Sequence, residues 1–92
     1  MYKPREVVII QGAYHERAKR YNGEIGQNIR QWRKQRGLSQ SDLGEILGIS
    51  YQQVQKYECG VNRISAVNLR LAAEALNVPS SILIGDGRVL VE

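Results

Sequence analysis

A chain of 92 residues, 42% hydrophobic and 24% charged with a formal net charge of +4, is one small domain with room for a single core. Its longest aliphatic run, Val7-Val8-Ile9-Ile10, falls far short of the roughly 20 residues of a membrane span, and no signal-peptide pattern is present. A lone cysteine, Cys59, and a lone histidine, His15, exclude a disulfide framework and a zinc finger. The composition therefore points to a cytoplasmic-type domain with no membrane partner, no metal and no cofactor.

Charge is uneven along the chain. Residues 1–36 hold nine of the thirteen Lys and Arg against Glu6, Glu16 and Glu24, a net of +6, whereas 37–64 and 65–92 are each −1. Such asymmetry suits a polyanion partner, and equally a solvated basic surface.

Residues 1–22 read as a basic arm. Pro4 and Gly12 bracket the strand-prone run 7–10, and Ala13 to Tyr21 suggests one or two helical turns with Tyr14, Ala18 and Tyr21 on one face. Asn22-Gly23 is a punctuation signal. The domain proper is expected over 23–84. Ile25, Ile29 and Trp32 form a helical stripe that stops at Gly37, with Trp32 in the core. Ser39 with Asp42 is a capping signature for a helix whose apolar face is Leu43, Ile46 and Leu47, ended by Gly48. Ser50 with Gln53 suggests a second capping box, with Val54 and Tyr57 facing inward before Gly60. Ser65 caps a fourth helix striped by Leu69, Ala72, Ala73 and Leu76 and closed by Asn77 and Pro79, and Ser80 a last turn with Ile82 and Leu83. The tail 85–92 holds Gly85-Asp86-Gly87 and a possible strand at Val89-Leu90-Val91. The expected fold is all-α, with five short helices and strand-prone ends.

Gln40 to Tyr57 is the informative stretch: a short helix, a glycine, a three-residue connection and a second short helix make a helix-turn-helix. Gly44 would permit a close helix approach at a propensity cost of about 1 kcal/mol relative to Ala. Gly48 suits the left-handed conformation of a sharp exit. No nucleophile with a neighbouring base and no phosphate-cradling glycine loop accompanies these helices, so an enzyme is not expected.

The text Ile29-Arg30-x-x-Arg33-x-x-x-Gly37-Leu38-Ser39-Gln40-x-x-Leu43-Gly44, then Leu47-Gly48-Ile49-Ser50, resembles the Cro/CI-type, XRE-like helix-turn-helix family of phage and bacterial regulators. The likeness continues through Gln53-Val54-Gln55-Lys56-Tyr57-Glu58-x-Gly60-x-Asn62-Arg63-Ile64 and Leu69-x-x-Ala72-x-x-Leu76-x-Val78, about two-thirds of the chain. It implies a compact five-helix, lambda-repressor-like domain that places its third helix in the major groove of double-stranded DNA. Base contacts would come from Tyr51, Gln52, Gln53, Gln55 and Lys56. Phosphate contacts would come from Gln40, Ser50, Asn62, Arg63, Arg30 and Arg33. In such domains an arginine at the place of Arg33 also pairs with a glutamate at the place of Glu58, which competes with a phosphate role. The resemblance implies a transcriptional repressor, nucleoid-associated when bound, acting as a homodimer on an approximately palindromic operator. The ends 7–10 and 89–91 are the candidate dimerisation strands. An antitoxin that autoregulates its operon and masks a toxin protein is the alternative. Cys59 reads as an inert thiol, and His15 as an exposed arm residue.

Overall fold

The computed structural model describes residues 14–85, which form five helices and, among the described residues, no strand: α1 (Tyr14–Gln35), α2 (Gln40–Leu47), α3 (Tyr51–Glu58), α4 (Ala66–Leu76) and α5 (Ser80–Ile84). The all-α five-helix architecture expected from the sequence is the one observed. The strand-prone ends 7–10 and 89–91 lie outside the described residues.

Helix starts are set by serine side chains. Ser39 Oγ accepts from the Asp42 N–H at 2.9 Å, and the Ser39 N–H donates back to Asp42 Oδ2 at 2.8 Å, a complete capping box. Ser50 and Ser65 accept from the N–H groups of Gln53 and Asn68. The box expected at Ser50 is only half present, because the Gln53 side chain turns away to Asn62 Oδ1 at 3.4 Å. Ser80 is the first helical residue rather than a cap; Pro79 occupies the cap position with no side-chain hydrogen bond. Helix ends are set by left-handed residues, Gly48 at φ 71° and Asn77 at φ 57°.

The expected break at Asn22-Gly23 does not occur, and α1 runs through it as a 22-residue helix. Two close approaches require glycine beside it, at Gly60 and Gly26, whereas a Cβ on Gly23 itself would meet no atom. A Cβ on Gly60 would lie 2.8 Å from Gly23 Cα, and a Cβ on Gly26 would meet the Tyr57 carbonyl and lie 2.7 Å from the Glu58 carbonyl oxygen. Gly60 thus brings the turn after α3 onto the backbone of Gly23, and Gly26 is the point of α1 against which the C-terminal end of α3 is laid. Gly44 does the same for α2, where a Cβ would be 2.7 Å from the Ile49 carbonyl oxygen.

Ile29, Leu43, Val54, Leu69, Ala72, Ala73, Leu76 and Leu83 make the core, drawn from all five helices. Ile46 departs from the expected apolar face and is exposed, as is Ile82 in the last turn, since the short α2 and α5 can turn only Leu43 and Leu83 fully inward. Trp32 is half-buried, with the Arg36 guanidinium 5.0 Å from its ring centroid. Arg36 Nε continues to the Leu76 carbonyl at 2.7 Å, placing a cation on the C-terminal end of α4. Asn28 donates to the Leu83 carbonyl at 3.1 Å and ties α5 to α1.

Gly26→Ala is expected to destabilise the fold by about 3 kcal/mol or more, because backbone rather than a movable side chain blocks the new methyl. Gly48→Ala meets no atom and carries only the strain of a left-handed alanine, about 1–2 kcal/mol. Denaturant midpoints of the two variants check this, and an equal loss would disprove the close-packing argument. The Ser39 N–H, followed by its hydroxyl, holds the Asp42 carboxyl below the ordinary aspartate value. Stability from this cap is therefore full above the ordinary pKa and is lost as pH falls through the lowered folded value. The stability gap between the wild type and Asp42→Asn should narrow with acidification below about pH 4.

Candidate nucleic-acid interface

The helix-turn-helix is built on a polar ring beneath it. Arg33, near the end of α1, is 7% exposed, and Glu58, at the end of α3, is 2% exposed. Arg33 Nε donates to Glu58 Oε2 at 2.6 Å and Nη2 donates to Oε1 at 3.0 Å, a bidentate pair. The third arm, Nη1, donates to the Leu38 carbonyl at 2.8 Å, just ahead of α2. Gln40, the first residue of α2, closes the ring by donating from Nε2 to Glu58 Oε1 at 3.0 Å. Every buried side-chain nitrogen and oxygen among the described residues has a partner, as a low-dielectric site demands.

Above this ring α3 turns its polar face outward. Tyr51 (49% exposed), Gln52, Gln55 and Lys56 are exposed, whereas Val54 and Glu58 are buried and Tyr57 is half-buried. Spacings of one, four and five residues put the four exposed side chains on one face, which carries no acidic group. Its chemistry is amide, phenol and ammonium, donors and acceptors that fit base edges. Gln53 is half-buried at the rim, its amide on Asn62, while Asn62 and Arg63 are exposed in the turn after α3. Ser50 is exposed and occupied as the α3 cap. Arg30 is exposed on α1 and joins none of these groups by a hydrogen bond or ion pair among the described residues.

The ring therefore gathers Arg33, Glu58 and Gln40, and the rim gathers Ser50, Gln53 and Asn62. Sequence reasoning missed three structural members. The Leu38 carbonyl and the Gln40–Glu58 bond carry no sequence signal, being set by tertiary geometry. Gly26, which lets α3 approach, had one: it lies one helical turn from Gly23, on the same face. Cys59 is exposed, as is His15.

Arg33→Met should cost about 3–5 kcal/mol, since it leaves the Glu58 carboxylate buried without its cation. Urea unfolding checks this, and a loss below about 1 kcal/mol, the range of an exposed ion pair, would refute it.

Residues 29–83 match the family model described as helix-turn-helix. An HTH-type transcriptional regulator of Sinorhizobium fredii is 46% identical over 65 residues, which is 71% of this chain and 46% of that protein. One from Sinorhizobium medicae is 48% identical over 62 residues, 67% of this chain and 45% of its own. The chain thus spans about half the length of these curated relatives. Among solved structures, the restriction-modification controller protein C.AhdI from Aeromonas hydrophila superposes with a TM-score of 0.64 at 32% identity, covering 67% of this chain and 94% of that one. The clp gene regulator ClgR from C. glutamicum shares the fold, with a TM-score of 0.66 at 20% identity over 77% of this chain and 96% of its own. With its matched segment spanning α2 to α4 and its motif seated on a buried ion pair, this chain belongs to the XRE-like helix-turn-helix family.

Proposed function

We propose that this chain binds double-stranded DNA sequence-specifically and regulates transcription, as a repressor acting as a homodimer on an approximately palindromic operator. The observation that carries the reading is the outward face of α3: four exposed polar side chains, none acidic, on a helix whose buried side is fixed by a satisfied polar ring. A helix held this way presents its side chains at fixed positions, which base readout requires and a solvated surface does not. The regulatory names of the matched relatives support the same reading.

In this proposal α3 enters the major groove and α2 crosses the backbone. Gln52 bonds adenine through both amide ends, Lys56 donates to guanine, and Tyr51 meets a thymine methyl or a base edge, with Gln55 and Gln53 beside them. Gln40, Ser50, Asn62, Arg63 and Arg30 supply phosphate contacts, which set register without carrying sequence information. Arg33 is assigned to the ion pair, because all three of its guanidinium nitrogens already donate inside the protein. One half-site offers limited affinity, and a twofold-related pair of protomers doubles the contact.

Selection of duplexes from a randomised pool near physiological salt tests the reading. Enrichment of a twofold-symmetric site with half-site centres about 34 Å apart is expected; recovery of no motif overturns sequence-specific binding. On the recovered site, Gln52→Ala and Lys56→Ala should each cost about 1–3 kcal/mol of base discrimination, with the thermal midpoint unchanged. Intact preference in either variant removes that residue from the base-reading set.

A further inference from the structure

We propose that Glu58, buried and out of reach of any ligand, is the positioning residue for the phosphate contact of Gln40. The inference rests on the DNA-binding reading above and adds to it a residue that does not touch DNA.

Glu58 accepts from Arg33 Nε at 2.6 Å, Arg33 Nη2 at 3.0 Å and Gln40 Nε2 at 3.0 Å. A carboxylate is an acceptor only, so it decides which end of the Gln40 amide turns toward it: the nitrogen. That nitrogen carries two hydrogens, and Glu58 takes one. A phosphate is also an acceptor only, and the second hydrogen is the one left for it. The flipped amide would instead set its oxygen against an anion, one acceptor facing another.

Gln40 opens α2, where the first backbone N–H groups lack intrahelical partners. A phosphate at that point meets those groups together with the fixed amide hydrogen. The negative charge of Glu58 behind the amide is offset by the bidentate Arg33. Arg33 Nη1 also holds the Leu38 carbonyl at 2.8 Å, which fixes the chain two residues before Gln40. The buried ring therefore sets both the place and the polarity of the α2 phosphate contact.

The test is a double-mutant cycle on the full chain, with a short mixed-sequence duplex read by fluorescence anisotropy and folding checked by melting. Gln40→Met, which keeps the reach and removes the donor, should weaken binding about tenfold, the worth of a hydrogen bond to a charged group. In the Glu58→Gln background, where residue 58 accepts either end of the amide, the same substitution should cost less than about threefold. Gln40→Lys, able to donate to both anions, should keep wild-type affinity and steepen the salt dependence by about one unit. An equal loss from Gln40→Met in both backgrounds overturns the positioning role and leaves the DNA-binding reading standing. Failure of the wild-type chain to bind the duplex overturns both. Should Glu58→Gln not fold, the Gln40 side-chain amide signals of the wild type carry the test. One Hε proton should exchange slowly in the free protein and the other should shift on adding duplex; two equally fast-exchanging protons overturn the proposal.

Discussion

The Arg33–Glu58 pair is the contact on which the arrangement of the helix-turn-helix depends. It joins the end of α1 to the end of α3, and its spare arms reach the Leu38 carbonyl and, through Glu58, the first side chain of α2. Three helices and one connection thus meet at a single ion pair. Taking two charges out of water is costly, and a buried pair often adds little net stability over a well-packed apolar substitute. Removing one partner, however, leaves an uncompensated buried charge. The pair therefore penalises a misplaced α3 more strongly than it rewards folding, which suits a helix whose outer face has to be held in one position.

Backbone contact supports the same end. Gly26 lets the carbonyls at the end of α3 rest directly on α1, Gly44 lets the α2–α3 connection rest on α2, and Gly60 brings the following turn against Gly23. Where a side chain would separate two helices by its own width, these glycines fix the separation by backbone contact. Serine caps then fix where α2, α3 and α4 begin. Each device constrains a helix end, and those of α2 and α3 are the ends to which the proposed phosphate and base contacts are assigned.

The family match begins at residue 29, whereas α1 begins at Tyr14. The first half of the helix carries its own order: Arg17 donates to the Tyr21 hydroxyl at 2.9 Å, Arg20 lies 5.0 Å from the same ring, and Arg20 pairs with Glu24 at 3.6 Å. The Arg17–Tyr21 and Arg20–Glu24 contacts are exposed i, i+4 interactions, each worth a few tenths of a kcal/mol. Only Arg20–Glu24 spans Asn22-Gly23, and so small a local gain leaves the passage of α1 through that signal to the packing of α3 on Gly26.

Much was legible in the sequence because it is written in local chemistry. The capping serines, the left-handed Gly48 and Asn77, and the stripes Leu43–Leu47 and Leu69–Leu76 declare helix ends and inward faces through interactions spanning only a few residues. The polar face of α3 follows from the same periodicity once Val54 is placed inward. Only the tertiary structure decided that α1 passes unbroken through Asn22-Gly23, that Ile46 and Ile82 stay exposed, and that Gln40 turns its amide to Glu58. Each depends on what a distant segment places nearby: the α3 carbonyls against Gly26, the limited core surface left for two short helices, and a carboxylate 18 residues from Gln40. Local patterns specify which helices form, whereas close approach and buried charge, acting between segments far apart in sequence, specify how those helices are set against one another.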